Sequence, residues 1–250
     1  MGTSQSSAGP GSGSPLVPPW ADDQPQQPQT TPAPVRFMAF RQSLGWFVSG
    51  GDRNDLKRAV GHYARKASGG GGNASRRMGS ATQAGARLFG TLAGIPAAPG
   101  EANVDLGGLV GLPCELAISA VTQALTSRDG DSDKIRAAMN HALVEALDGV
   151  ETFDTRCITD EVIVDTMIGY MTEVIFLQMV MDSGKAWNKA DTPAQAMRAE
   201  TELRELIKVV VDRHMAPKIS GDVKAINRKQ MAQIERQVII DAWKEWEAYQ

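Results

Sequence analysis

The stretch TDEVIVDTMIGYMTEVIFLQMVM, residues 159–181, decides the fold class of this protein. Thr159 precedes a long apolar run whose first positions are acidic, and the dipole at the start of a helix favours acidic side chains. We therefore predict a helix from Asp160 to about Met181, capped by Thr159. Its most apolar part, from Met167 to Met181, is interrupted by Glu173 and is too short to span a bilayer. The stretch therefore indicates a soluble protein.

Helical patterns continue on both sides of this stretch. Downstream, Thr192-Pro193-Ala194-Gln195 has the form of a capping box, and the helix that it starts is expected to stop before Pro217. A last helix is predicted from roughly Val223 to Tyr249. Upstream, Ser132 is expected to cap a helix that runs to about Leu147. Two shorter helices are predicted at Val104–Val110 and at Pro113–Leu125.

The first half of the body also has helical spacing. The apolar face of a short helix is formed by Phe37, Phe40, Leu44 and Phe47, and that helix ends at Gly50-Gly51. Asp52 is predicted to cap a second helix, which the glycine run 69–72 breaks. Asn73 is predicted to cap a third helix, which is rich in small residues and extends to about residue 95.

The predicted class is all-α, because no run of alternating apolar and polar residues bounded by hairpin turns is present. We expect a bundle-like helical body that follows a long disordered tail rich in Pro, Gly and Ser, residues 1–35. Residues 36–95 form a basic helical module, and residues 96–250 an acidic helical domain. Between residues 36 and 100, ten Lys and Arg stand against Asp52 and Asp55. This asymmetry indicates that the two halves face different partners, or each other.

One apolar patch interrupts the tail, at Leu16, Val17 and Trp20. Tryptophan is enriched among binding hot spots, so we predict that this patch docks on another surface.

Catalytic and metal-binding patterns are missing from the sequence. The glycine run has no phosphate-loop Lys-Ser/Thr, the three histidines are isolated, and Cys114 and Cys157 lack metal-ligand spacing. We expect no catalytic residue, no metal and no cofactor, and hence a protein that is not an enzyme. The N-terminus has neither a basic start nor an apolar stretch, so we expect a cytoplasmic location without contact to a membrane.

The basic residues of the first half leave two interpretations open. Arg53, Arg76 and Arg77 belong to a cluster that could track a nucleic-acid backbone. The acidic second half, or an acidic partner protein, is an equally suitable counterpart, and the charge pattern favours protein contact.

The extreme N-terminus has one chemically distinctive feature. Gly2 follows Met1, and a small second residue generally permits removal of the initiator Met, which leaves a glycine amine. The reference pKa of such an amine is about 7.7–8.0, so part of it is neutral and nucleophilic near neutral pH. Without further context, an ordinary polar terminus is the more common interpretation.

A family resemblance favours a specific role for Gly2 over an ordinary polar terminus. The opening MGTSQSSAGPGSGSPLVPPW, the segment QSLGWFVSGGDRNDLKRAVGHYARKASGGGGNASRRMGSATQAGARLFGTLAG at residues 42–94, and the acidic helical second half together resemble the QatB family of bacterial Qat anti-phage defence systems. The resemblance covers essentially the whole chain and is most specific over the first 95 residues.

The resemblance implies work beside a QueC-like enzyme (QatC), with the ATPase QatA and the TatD-like nuclease QatD as further candidate partners. QueC-type enzymes activate a 7-deazaguanine carboxylate with ATP and deliver it to an amine. The resemblance therefore implies that Gly2 is the acceptor amine, with Thr3, Ser4 and Trp20 guiding the tail. A scaffold or nucleic-acid-binding subunit that acts through the basic helices is the alternative.

Overall fold

The computed structural model describes residues 8–22, 24–26, 28, 30–102, 104–126, 128–219 and 221–249. Over these residues the chain consists of helices, turns and loops, with a single isolated bridge between Pro113 and Thr152 and no strand. The all-α prediction is confirmed.

The nine α-helices of the described residues differ widely in length. In chain order they are α1 Met38–Val48, α2 Arg53–His62, α3 Gly71–Arg77, α4 Gly79–Leu92, α5 Cys114–Leu125, α6 Ser132–Ala146, α7 Asp160–Ser183, α8 Pro193–Ile219 and α9 Arg228–Glu247. A π-helical turn, Tyr63–Ala67, extends α2, and a 3₁₀ helix, Gly184–Lys189, follows α7 directly.

Three of the predicted helix starts are confirmed by their hydrogen bonds. The Asp52 carboxylate accepts from the N–H groups of Asn54 and Asp55, and the Asp55 side chain completes a capping box. Thr159 Oγ1 accepts from the N–H of Val162 at 3.3 Å. Thr192 and Gln195 exchange backbone-to-side-chain bonds of 3.2 and 3.3 Å. These starts depend on neighbours in sequence, so the sequence alone specifies them.

The predicted start and continuity of the third helix are wrong. Gly70 has φ 87° and ψ 169°, a conformation that suits glycine, so α3 begins at Gly71. The Asn73 side chain instead donates to the Gly69 carbonyl at 2.7 Å. Met78 leaves the helical region and divides the predicted helix into α3 and α4, which both pack on α9.

Three further boundaries differ from the prediction. Asp131 precedes α6, and Ser132 Oγ donates to the Asp129 carbonyl at 2.6 Å rather than capping the helix. Helix α8 continues through Pro217 to Ile219, because buried Ile219 anchors its last turn in the core. The last helix begins at Arg228, where Asn227 forms a capping box.

The core centres on α7, which packs against α6 on one side and α8 on another. The segment Asp160–Lys189 is long and apolar enough to cross a membrane by composition, but 78% of its most apolar window is buried inside the protein. Such burial is typical of a core helix. Side chains from residues 36–95 and from residues 96–250 lie in one hydrophobic core. The proposed boundary between the two modules stays a prediction from sequence.

Candidate partner-binding site

The N-terminal segment, here residues 8–22, is the part of the predicted tail that bears on function. It contains no helix or strand, yet it lies against the helical body. Leu16 and Val17 are buried, whereas Trp20 remains 52% exposed. The apolar patch predicted to dock therefore has a docking surface within its own chain. Gly2, Thr3 and Ser4 lie outside the described residues.

Two arginines near α1 hold the start of this segment. Arg41 donates through Nη2 to the Pro10 carbonyl at 2.8 Å and through Nε to the Asp182 carbonyl at 2.9 Å. Arg36 Nη2 donates to the Ser14 carbonyl at 3.0 Å. The carbonyl groups of a segment without secondary structure thus find donors on the body, which offsets the loss of their hydration.

A buried ion pair holds the other end of the segment. Arg76 Nη2 lies 2.7 Å from Asp22 Oδ2, and Nε makes a second bond to the same carboxylate at 3.2 Å. Both side chains are more than nine-tenths covered. The hydrogen bond from Arg76 lowers the pKa of Asp22 below its ordinary value. Ser80 adds two bonds, from Oγ to the Trp20 carbonyl and from N to the Ala21 carbonyl.

Trp20 lies between these contacts at the edge of the body. Its ring packs against Gly130 in the loop before α6, because a Cβ added to Gly130 would come within 2.7 Å of Trp20 Nε1. A residue larger than glycine at position 130 would therefore displace the ring. The partly exposed Trp20 face remains accessible to a partner.

Arg77 points into a second polar cluster. Its Nη1 lies 2.7 Å from Asp131 Oδ2, and Lys134 Nζ lies 3.2 Å from the same oxygen. Burial lowers the pKa of Lys134 to about 8. Burial alone would raise the pKa of Asp131, but Lys134 and Arg77 together hold it below its ordinary value. Asp131 is therefore the acidic counterpart of a basic residue from the first half.

The cluster continues across α7 to the π-helical turn. Lys134 donates to Gln178 at 2.8 Å, Gln178 donates to Asp182 at 3.1 Å, and Tyr63 Oη donates to the same Asp182 oxygen at 2.7 Å. Burial raises the pKa of Asp182, and it raises the pKa of Tyr63 well above its ordinary value. The cluster joins four parts of the fold through side chains whose hydrogen bonds are made internally.

A cavity of about 380 Å³ lies between the N-terminal segment and this cluster. Trp20 and Met181 contribute apolar surface, and Arg36, Gln178 and Asp182 contribute polar groups. Arg36 Nε is buried and has no hydrogen-bond partner among the described residues. The arrangement suits binding of a mixed polar and apolar group, and the described residues lining it include no paired nucleophile and base.

The remaining predicted site residue, Arg53, lies apart from the others. It is the first residue of α2 and is exposed, as are Lys57 and Lys66 farther along the same helix and turn. Arg76 and Arg77, in contrast, are engaged within the chain. Among the described residues, no group of three His, Cys, Asp or Glu is placed to hold a metal ion.

A comparison with known protein families shows which family this chain belongs to. A sequence model of the Qat anti-phage system associated protein QatB matches residues 69–246, which is more than two thirds of the chain. The chain belongs to the QatB family. QatB membership makes it a component of the Qat anti-phage system, with partners in that system. The match leaves out residues 1–68, although the resemblance to QatB was expected to be most specific near the N-terminus.

No curated protein and no solved structure matched this QatB-family chain. The candidate site is therefore described from the structure of this chain alone.

Sequence reasoning missed most of the polar cluster of this QatB-family chain. Tyr63 carried no signal of a polar role, and Gln178 and Asp182 lie within or beside a stretch interpreted as apolar. The available signal was the pair Gln178 and Asp182, which are four residues apart and share one face of α7.

Proposed function

We propose that this chain is a non-enzymatic, cytoplasmic subunit of the Qat system that binds the QueC-like enzyme QatC and presents Gly2 for conjugation to a 7-deazaguanine. The QatA and QatD proteins are further proposed partners. Membership of the QatB family supports the assignment to the Qat system, and the resemblance of the first 20 residues to that family supports the role of Gly2.

The chemistry needs only an accessible amine from this chain. The neutral amine of Gly2 donates its electron pair to the carboxylate carbon that QatC has activated with ATP. A C–N amide bond forms, the activating group leaves with its bonding electrons, and the amine loses a proton. Glycine has no side chain to obstruct this attack.

The observation that carries the proposal is the way the N-terminal segment is held. Contacts of Arg41 with Pro10 and of Arg76 with Asp22 fix residues 10–22 on the body. Pro10, which follows Gly2 by eight residues, therefore has a defined position on the body. A partner that recognises the body can for that reason also locate the Gly2 amine. Preorganisation of this kind lowers the entropic cost of binding.

The test is the intact mass of the protein expressed with and without its operon neighbours, followed by fragmentation of the N-terminal peptide. We expect loss of Met1 and an added deazapurine group on Gly2 that depends on QatC. Gly2→Pro should prevent the addition, because its amine is secondary and hindered. Gly2→Ala is the matched control, since it keeps a primary amine. An unmodified Gly2 in phage-challenged cells would contradict the proposal.

A scaffold or nucleic-acid-binding role is favoured by one observation, the exposed basic residues Arg53, Lys57 and Lys66. Charge reversal of these three residues should abolish DNA or RNA retention in a gel-shift assay only under this second function. Reversal at Arg76 or Arg77 is unsuitable for that purpose, because both residues form internal ion pairs.

A further inference from the structure

A second surface lies where the N-terminal segment begins. It is a depression of about 630 Å³ between α1 and the 3₁₀ helix Gly184–Lys189. Ala8 lines it, together with Trp46 from α1 and Lys185 and Lys189 from the 3₁₀ helix. We call the patch formed by Trp46, Lys185 and Lys189 the basic-aromatic surface.

The chain is held tightly at this place. A Cβ added to Gly184 would lie 2.7 Å from the Ala8 carbonyl oxygen, and Gly184 has a φ of +57°. A Cβ added to Gly9 would lie 2.7 Å from Arg41 Nη2 and 2.9 Å from the Gly184 Cα. Because these backbones touch, Ala8 has a defined position beside the basic-aromatic surface.

The length of chain beyond Ala8 limits where a modifying enzyme can stand. Gly2 precedes Ala8 by six residues. A fully extended chain gains at most about 3.4 Å per residue, so the Gly2 amine lies within roughly 20 Å of Ala8. An enzyme whose cleft takes Gly2 must therefore stand within about this distance of Ala8, beside the basic-aromatic surface.

The charges of the surface indicate the chemistry of that rim. Lys185 and Lys189 are exposed, and neither forms an ion pair within the described part of the chain. The first seven residues, MGTSQSS, contain no acidic side chain that could serve as their counterpart. Lys189 is fixed on α1, since its Cγ would contact a Cβ added to Gly45 at 3.4 Å. Both charges are therefore available to an acidic partner.

Trp46 gives the surface its apolar centre. It is 50% exposed, although Phe47 beside it and Leu44 on the same helix are buried. An exposed Trp flanked by cations is typical of a binding hot spot, in which a desolvated aromatic anchor is surrounded by a polar rim.

We propose that the basic-aromatic surface is the docking site for an acidic, apolar-centred rim around the enzyme cleft that receives the first seven residues. This inference rests on the proposed function and adds the place and chemistry of the contact. Docking here orients the cleft, and the short connection to Ala8 then delivers Gly2.

The experiment uses the full-length chain and the purified QueC-like enzyme. Lys185→Glu combined with Lys189→Glu should weaken binding at least tenfold in calorimetric titration, and Trp46→Ala should weaken it by a similar factor. The loss from charge reversal should shrink as salt rises, since exposed charges are screened. The yield of modified Gly2 at limiting enzyme should fall in parallel.

Matched controls come from other helices. Lys229→Glu with Lys244→Glu reverses two exposed lysines of α9, and Leu116→Ala shortens an exposed apolar side chain of α5. Both should bind and be modified like the wild type. Circular dichroism melting curves should show that all variants remain folded.

The outcomes distinguish the proposed function, modification of Gly2, from the proposed docking site. Wild-type binding with no modification of Gly2 refutes the proposed function, while the variants still test the docking site by affinity. Modification that is equally efficient in the charge-reversal variant overturns the docking site and leaves the proposed function standing. A wild-type dimer that dissociates on charge reversal overturns the docking site as well, because it assigns the surface to a second copy of this chain.

Discussion

Release of the N-terminal segment by breaking the Arg76–Asp22 pair is the most direct test of the site. Asp22→Asn keeps the size of the side chain but removes its charge, which breaks the ion pair between Arg76 and the segment. Arg76→Ala removes the partner from the other side, together with the bond to the Pro28 carbonyl at 3.1 Å. Either variant should favour states in which the segment leaves the body.

The size of the effect follows from where the pair lies. An exposed ion pair contributes less than about 1 kcal/mol, whereas removal of one partner of a buried pair costs about 3–5 kcal/mol. Both side chains are covered, but Asp22 belongs to a segment that lies on the surface of the body. We therefore expect a cost of about 2 kcal/mol, which corresponds to a roughly 30-fold rise in the population of the released segment.

Limited chymotrypsin digestion measures that population. Cleavage after Trp20 requires the segment to open, because the Trp20 carbonyl and buried Ala21 are held against Ser80. When opening and closing are fast, the cleavage rate tracks the open population, so it should rise about 30-fold. Arg58→Ala, which breaks the partly exposed Arg58–Asp55 pair far from the segment in sequence, is the control and should change the rate less than about threefold.

A cleavage rate within twofold of the wild type in both Asp22→Asn and Arg76→Ala would refute the reasoning. It would mean that the other contacts of the segment, such as the burial of Leu16 and Val17 and the bonds from Arg36, Arg41 and Ser80, keep it in place. The pair has a pH signature as well. The pKa of Asp22 is lowered in the folded state, so its contribution is present above the unfolded pKa of about 3.9 and is lost as the pH falls through the lower folded value.

Three further variants test the core. Burial raises the pKa of Glu235 well above its ordinary value, so its stabilising contribution is complete below the unfolded pKa of about 4.3 and is lost as the pH rises toward the folded one. Glu235→Gln should abolish a decline of about 1.4 kcal/mol per pH unit in urea unfolding over that range. Gly85→Ala should destabilise the fold by about 2 kcal/mol or more in the same assay, because its Cβ would lie 1.9 Å from Glu235 Oε1. Tyr63→Phe leaves part-buried Asp182 without its 2.7 Å donor and should lower the unfolding free energy by about 1–3 kcal/mol. An unchanged value would show that water replaces the hydroxyl.

Features that depend on neighbouring residues were predictable from the sequence. The starts of α2, α7 and α8 follow from Asp52, Thr159 and the Thr192–Gln195 box, since a cap and the N–H groups that it satisfies lie within three residues. The all-α class follows in the same way, from apolar residues that recur at helical intervals. The family was also recognised from sequence.

Only part of the candidate site could be predicted from the sequence. Leu16, Val17 and Trp20 were recognised as a docking patch because apolar residues are conspicuous in a polar segment. The surface on which they dock was not recognised, since Arg36, Arg41 and Arg76 lie more than ten residues away in sequence, in the turn before α1, in α1 and in α3. A composition poor in apolar residues does not indicate which carbonyl groups of the segment meet donors on the body.

Tertiary structure alone decided the remaining features. Gly70 sets the start of the small-residue helix and Met78 divides it into α3 and α4, which each pack on α9. Pro217 is held in α8 because Ile219 is buried beyond it. Glu235 sits without a hydrogen-bond partner among the described residues because glycine at position 85 leaves room for its carboxyl group. The sequence by itself determined which segments are helical and where the caps of α2, α7 and α8 lie, since those interactions span a single turn. Where the N-terminal segment rests, and which charges are paired, depends on contacts between residues far apart in the chain, and these exist only once the helices have packed.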